Sequence, residues 1–485
     1  MDKNEKKKAV HSNMHSKKTG RIFTYGICIV AAIIALAAIY IAYMLNRFVG
    51  TGEMACVLIA AAAICFLMVF LRKKYPYIIG IAGICMLIIS LPAVYVLHDI
   101  DKPLQRMANT NEYEVVQIAA RSGSSIAADD DFDNYKLGYD QSDDQALRYA
   151  DEIIYENGKK LDESKPYTGA KQLWTAFKKG SVDFIVIDNT TKSDLSNINE
   201  NYEAKIKTIF KKEYPMASAK AKQVDISKEP FTVYLQGTDL SSGYNITSTG
   251  RGDVNILLTI DPVTKDVYMQ AVPRDTFVKI PCRNGRSKLS YSGWWGGVQS
   301  SIESIEDEFN IEINYYAKIN FNGIAKLVDD LGGVTVYSHY TYTAAPGVYF
   351  TKGWNEVNGD EALLFARARK MLPENELSRG QHQMELIKAI FVKFGEDPTY
   401  SKAMSLLDGI SHNFATNVPE DDYYKMYKVI KSVLPQLQTM ENNSIKGEFK
   451  WHYDEIRTDY YQYYYYPDKS EIQRVHDRIT KIKSR

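Results

Sequence analysis

The chain has 485 residues, 45% of them hydrophobic, with 59 basic and 59 acidic side chains, so it is long enough for several domains and a sizeable core. The even total hides an uneven distribution: residues 1–21 carry seven bases against Asp2 and Glu5, and residues 22–97 hold only Arg47, Arg72, Lys73, Lys74 and Glu53, which leaves 48 basic and 56 acidic residues beyond position 97. Four of the five cysteines (Cys28, Cys56, Cys65 and Cys85) fall in that low-charge stretch, and Cys282 stands alone beyond it, which excludes an intrachain disulfide framework outside the stretch and gives no sign of a metal centre.

In chain order, residues 1–21 form a basic tail. Three apolar segments follow, at 22–45, 54–71 and 77–97, each near the roughly 18–20 residues that a helical span needs. The first is too long for the apolar core of a cleaved leader, and two more follow it. If all three span, the tail and Arg72–Lys73–Lys74 share one side and the Arg47 loop takes the other. The positive-inside rule then puts the N-terminus in the cytoplasm and everything beyond about residue 98 outside, which makes a multi-pass cell-membrane protein with a large extracellular part.

Residues 98–111, with Pro103, read as a linker. Residues 112–222 read as a small α/β accessory domain: a strand at 113–120, helices at 143–158 and 169–180, a buried strand at 182–188 and a further helix at 199–212. It shows no chemical motif and reads as a spacer or docking module. The next domain occupies 228–485, with its core at 228–415. "FTVYLQGTD" (231–239) is a strand, and "DVNILLTI" and "DVYMQAVP" form a hairpin around "DPVTK". A helix at 298–309, a strand at 314–321, a helix to Leu331 and "GGVTVYS" come next. "VNGDEALLFARAR" (357–369) opens with Asn358 and Glu361 in capping-box spacing, and helices at 381–395 and 399–411 follow. Mixed strands alternating with helices predict an α–β–α layered α/β domain with a mixed central sheet. "DYYQYYYYPDK" (459–469) reads as surface or edge-strand tyrosines.

Charged groups stand at the ends of these elements: Asp239, Arg251 with Asp253, Arg274 with Asp275, and the stretch from Arg367 to Arg379. Arg367 and Arg369 are two apart, so they serve one ligand only if the helix stops there, as Pro373 suggests. Guanidinium groups suit phosphate oxygens. Carboxylates beside them make sense if a divalent cation lies between, because magnesium takes one or two carboxylates plus substrate phosphates. Spacing alone serves surface salt bridges equally well. Val254, Ile256, Leu258, Val267 and Met269 line either a plain core or a lipid tunnel, which alternation does not separate. "RGD" (251–253) carries too little information to mark an integrin ligand.

The run from Phe231 to about residue 411 resembles the LytR–CpsA–Psr family of cell-wall ligases. The resemblance rests on "GTD", "RGDVNILLTIDPVTKDVYMQAVPRDTFVKIP", "KLSYSGWWGG", "INYYAKINF", "LVDDLGGV", "NGDEALLFARAR" and "ENELSRGQHQ" in order. The three-span start and the preceding α/β module resemble its capsule-linked branch. The resemblance implies a membrane-anchored phosphotransferase that moves an anionic or capsular glycopolymer from undecaprenyl pyrophosphate to peptidoglycan through a phosphodiester. It implies Asp239 and Asp253 as acids for magnesium, with manganese as a substitute. It implies Arg274, Arg367 and Arg369 as catalytic holders of the pyrophosphate, with Arg379 as a further charged site residue. Glu376 stands where the family commonly has Asp, and His382 where many members have Arg, so no arginine role passes to His382. Arg251, Arg379 and Glu376 join the pyrophosphate set, and Asp275, counted with the catalytic residues, is either a base or an orienter of Arg274. A polyprenyl pyrophosphate phosphatase and a non-enzymatic regulator of capsule assembly, acting on a polymerase or kinase, are the alternatives. Nucleic acid is not a partner, since only the tail and one short loop face the cytoplasm.

Overall fold

The computed structural model describes residues 24–43, 51–108, 111–142, 144–161, 163–199, 201–240, 245–440, 444–458 and 460–484. The basic tail at 1–21 and the loop with Arg47 lie outside the described residues. The chain divides into two units, residues 1–105 with 419–427 and residues 106–418 with 428–485.

In the first unit, helices α1 (Thr24–Tyr43), α2 (Thr51–Leu71) and α3 (Pro76–Met107) carry the apolar segments. Two stretches, Thr24–Tyr43 and Pro76–Tyr95, are long and apolar enough to cross a membrane. The expected third span, 54–71, lies in α2, whose apolar part among the described residues is Cys56–Leu71. Met68 of α2 packs with Ile27, Ala31 and Ile34 of α1 and Ile79 of α3. Gly83 lets the helices close up, since a Cβ there would sit 2.7 Å from Met68 and 2.9 Å from Val30. The linker expected at 98–111 is instead helical through Met107, with Pro103 accommodated inside α3.

The second unit opens with β1 (Tyr113–Arg121), β2 (Lys136–Asp140), α4 (Asp144–Glu156), β3 (Glu163–Tyr167), α5 (Ala170–Lys178), β4 (Phe184–Ile187), α6 (Asn189–Ile198) and β5 (Ile206–Pro215). They form one sheet in the order β3-β2-β4-β1-β5. The helix expected at 199–212 is therefore mostly strand. Its Ile206, Thr208 and Ile209 favour extended backbone, and pairing with β1 runs from Tyr113↔Pro215 to Arg121↔Ile206.

The remaining elements are β6 (Phe231–Thr238), β7 (Gly252–Ile260), β8 (Val267–Ala271), β9 (Phe277–Ile280), β10 (Gly285–Lys288), α7 (Leu289–Phe309), β11 (Tyr315–Asn320), α8 (Phe321–Asp330), β12 (Val334–Ser338), β13 (Tyr342–Ala345), β14 (Val348–Phe350), β15 (Gly353–Val357), α9 (Gly359–Arg367), α10 (Glu376–Glu396), α11 (Tyr400–Ile410), β16 (Phe414–Thr416), α12 (Tyr423–Thr439), β17 (Gly447–Tyr453), β18 (Tyr461–Pro467) and α13 (Lys469–Lys483). The central sheet runs β16-β11-β6-β7-β8, with β6 and β11 parallel and the other pairs antiparallel, so it is mixed as expected. Every residue of β7 is buried, which means both faces of the sheet are covered. Tyr234, Leu257 and Tyr268 face a core built with Trp294, Val298 and Ile305 of α7 and Val475 and Ile479 of α13. Ile256, Leu258 and Met269 alternate with them, point to the opposite face and are equally buried. α10 packs on β7 and β8.

Candidate active site

The meander β6–β7–β8 decides where the charges meet. In antiparallel neighbours the end of one strand lies beside the start of the next. Asp239 follows the last residue of β6, Arg251 and Asp253 flank the first residue of β7, and Arg274–Asp275 lies just past β8, so all five share one edge of the sheet. The backbone ties them, with Arg251 N donating to Asp239 Oδ1 at 3.1 Å.

Helix ends supply the other side. The capping box of Asn358 and Glu361 starts α9, and the helix stops at Arg367 because Ala368 has ψ 126. Arg369 is thereby released from the helical phase of Arg367. Asn375, at φ 46, turns the chain into α10, which opens with Glu376 and carries Arg379 one turn later.

These side chains form a continuous ionic network. Arg251 bridges Asp239 Oδ2 at 2.8 Å and Asp253 Oδ1 at 2.9 Å. Arg274 donates to the same Asp253 oxygen at 2.7 Å. Asp275, only 3% exposed, pairs with Lys288 at 3.0 Å and Arg369 at 2.7 Å. Glu376 lies 3.2 Å from Arg369 Nε, pairs with Arg379 and accepts from the backbone N–H of Arg274 at 3.3 Å. Lys288 was missed by the residue-by-residue reading although it opens "KLSYSGWWGG"; a lone lysine at the end of a short strand carries no signal of its own.

The network revises several assignments. Arg251 is taken up by Asp239 and Asp253, with its guanidinium 5.6 Å from the Trp294 ring, so it brackets the acids. Glu376 organises three arginines and offers no donor to a phosphate. Asp275 orients Arg369 and Lys288, whereas the Arg274 side chain goes to Asp253. Arg367 stands apart from the network: it is exposed, with its guanidinium 4.9 Å from the Phe321 ring. His382 is a core residue, stacked on Phe365 at 4.1 Å, and burial pushes its pKa down to about 4, so it is neutral.

Burial and charge set the protonation of the acids. Burial raises Asp253 and Asp275, but the facing cations outweigh it, and both carboxyls are held below the ordinary range. For Asp239, burial wins over Arg251, and its pKa is pushed up to about 6. Burial draws Arg379 below its ordinary value against the opposing pull of Glu376. Two guanidinium donors, Arg274 Nε and Arg379 Nε, are buried without an acceptor among the described residues. A buried N–H without a partner is costly.

Among the described residues, no group of three or more His, Cys, Asp or Glu side chains is gathered as a metal centre. The donors at Asp239 and Asp253 nonetheless fit magnesium in kind. They are two carboxylates, Asp239 is incompletely neutralised, and the neighbouring Thr238 hydroxyl is buried without a partner among the described residues.

The LytR_cpsA_psr family model matches residues 190–481. The chain belongs to this family. Among its relatives, the polyisoprenyl-teichoic acid–peptidoglycan teichoic acid transferase TagU of Bacillus licheniformis is 32% identical over 237 residues, 48% of this chain and 76% of the relative. The protein of the same name from Bacillus mycoides is 32% identical over 262 residues, 53% of this chain and 82% of the relative. The crystal structure of B. subtilis TagU covers 53% of this chain and 98% of its own at 26% identity, with a TM-score of 0.42. The LytR_cpsA_psr match begins inside α6, so the apolar helices and most of the first sheet lie outside it.

Proposed function

We propose that this chain transfers an anionic glycopolymer from a polyprenyl pyrophosphate carrier to peptidoglycan on the outer side of a membrane. The observation that carries this reading is the pair of buried donors without an acceptor among the described residues, Arg274 Nε and Arg379 Nε, in a network where Asp275 and Glu376 are already taken up by other cations. The pyrophosphate oxygens complete those donors, and Arg369, oriented by Asp275 and Glu376, closes on them from the mouth. Arg367 meets the donor at the rim.

A peptidoglycan hydroxyl attacks the phosphorus bonded to the donor's first sugar. The bond from that phosphorus to the bridging oxygen breaks, polyprenyl phosphate leaves with the oxygen, and the hydroxyl proton ends on it. A loose phosphoryl transition state asks little of a base and much of positioned charge. This suits a site whose Asp275 is held ionised by three cations. Asp239 and Asp253 would hold magnesium, with manganese as a substitute, and the ion would supply further neutralisation of the phosphate charge.

The extracellular placement requires an odd number of spans. We read α2 as the third: its 21 residues rise about 31 Å at 1.5 Å each, enough for a bilayer core, and it packs between α1 and α3 through Met68. Reporter fusions check this, with activity expected on the cytoplasmic side after residue 74 and on the outer side after residue 108. A cytoplasmic location after residue 108 would remove the cell-wall reading.

The function is tested with the full chain in vesicles, a labelled saccharide on polyprenyl pyrophosphate and peptidoglycan as acceptor. Label bound covalently to peptidoglycan, with polyprenyl phosphate released in equal amount, is the expected result. Free sugar phosphate, with nothing bound to the wall, would identify a phosphatase. No turnover under any metal would leave the regulator.

A further inference from the structure

The β17–β18 hairpin carries an aromatic face that the transfer site does not use. Its register pairs Phe449 with Tyr465, Trp451 with Tyr463 and Tyr453 with Tyr461, so these six rings share one face. The inner pair belongs to the core with Ile445 and Leu377. The outer four are open to solvent, with Trp451 59%, Tyr453 61%, Tyr461 54% and Tyr463 40% exposed. The rings hold one another in place: Phe449 lies 4.9 Å from Tyr463 at 9°, Trp451 5.6 Å from Tyr461 at 22° and Tyr453 4.9 Å from Tyr461. Such a contiguous exposed patch on a folded surface marks an interaction site.

We propose that this face is a saccharide platform for the acceptor, binding the glycan backbone of peptidoglycan beside the transfer site. Aromatic faces suit the C–H faces of pyranose rings, and the tyrosine hydroxyls supply hydrogen bonds at the rim. Charge selects the occupant. Glu448, Lys450 and His452 fall on the other face of the hairpin, so the ring face is uncharged. A polyanionic donor calls for cations there, whereas an N-acetylated sugar backbone does not.

Continuity with the site gives the platform its purpose. Tyr465 N donates to Asp275 O at 2.8 Å, and Ile445 and Leu377, packed beside the inner rings, also line the small pocket next to Glu376. From Tyr465 to Tyr461 the strand carries the ring face about 13 Å away at roughly 3.3 Å per residue. That length covers a few sugar rings leading to the attacked phosphorus. A membrane contact fits less well. The turn between the strands is polar, and it is tied down by Arg457, which pairs with Asp194 at 3.0 Å and lies 3.6 Å from the Tyr460 ring.

The inference rests on the transferase reading but fails separately from it. The test uses the full chain in detergent micelles, sedimented with insoluble peptidoglycan stripped of attached polymers. Trp451→Ala with Tyr461→Ala should weaken binding about tenfold or more, as should an excess of soluble N-acetylglucosamine oligomers. Trp451→Phe with Tyr461→Phe keeps the ring faces and should bind nearly as wild type, which separates a lost contact from a lost fold. Turnover with a short soluble acceptor should be unchanged in both pairs, while the KM for intact peptidoglycan rises in the alanine pair. Equal sedimentation of wild type and the alanine pair overturns the platform while leaving the transferase standing. Quenching of Trp451 fluorescence by brominated lipid in proteoliposomes, absent in Trp451→Phe, overturns it in favour of a membrane contact.

Discussion

Replacing Arg274 by lysine separates a site that needs a shaped donor from one that needs only charge. In the structure the guanidinium divides its work. One terminal nitrogen holds Asp253 at 2.7 Å, and Nε is buried without an acceptor among the described residues, the position proposed for a pyrophosphate oxygen. A lysine ammonium is a single point of charge on a flexible stem. It can keep Asp253 or reach the phosphate, but it does not do both in the same geometry. The transition state therefore loses one positioned, charge-assisted donor, a loss that typically costs about a hundred- to a thousandfold in kcat. By the tenfold-per-1.4 kcal/mol relation, that is roughly 3–4 kcal/mol. Asp253 keeps a cation beside it in the variant, since Arg251 also bonds it at 2.9 Å, so the fold should survive. The assay is transfer of a labelled polyprenyl-pyrophosphate saccharide to peptidoglycan, with chemical denaturation run in parallel. A variant of unchanged stability that keeps turnover within about threefold of wild type would show that Arg274 contributes charge alone, and the donor argument would be wrong.

The proposed magnesium role of Asp239 predicts a pH dependence. Its carboxyl is protonated below about 6, so the apparent magnesium requirement should rise as pH falls from 7 to 5, and Asp239→Asn should flatten that dependence. A magnesium titration at each pH checks it; a pH-independent wild-type requirement would remove Asp239 from the metal set. Asp275→Asn leaves Lys288 and Arg369 without their shared carboxylate and should destabilise the fold toward the lower end of about 3–5 kcal/mol, because Arg369 still reaches water. The native Asp275 is held below its ordinary value, so its contribution is complete above the unfolded carboxylate value and is lost as pH falls through the folded one. Denaturation of wild type and variant should therefore converge in acid. Glu112→Gln should cost about 3–5 kcal/mol for another reason: Glu112 pairs with Lys318, which is 1% exposed, and caps the Val298 N–H where Gly297 interrupts α7. A loss below about 1 kcal/mol in urea unfolding would mean that Lys318 finds another partner.

Local patterning in the sequence determined much of this protein. Apolar runs marked the membrane-type helices, alternation marked β6, β7 and β8, and the Asn358–Glu361 spacing marked the start of α9. The meander of those strands already implied that Asp239, Arg251, Asp253, Arg274 and Asp275 would meet, because antiparallel neighbours share an edge. Local pattern failed where pairing or packing overrode it. Residues 206–215 became a strand because β1 offered an open edge, and α3 ran on through the expected linker.

Only the tertiary structure decided how the charges are shared. Sequence spacing cannot say that Arg274 turns to Asp253 while Asp275 takes Lys288 and Arg369, since those choices depend on where α9 and α10 deliver their ends. Nor can it say that Arg367 stays outside the network and Glu376 sits at its centre. The run of tyrosines near the C-terminus was legible as a strand residue type. Which rings are core and which face solvent was set by the register with β17 and by the anchoring of Tyr465 to Asp275. Periodicity reports which residues share a face, because backbone geometry is local. Which partner a charged side chain finds on that face is a matter of distances of a few ångströms between segments far apart in sequence, and folding alone fixes those.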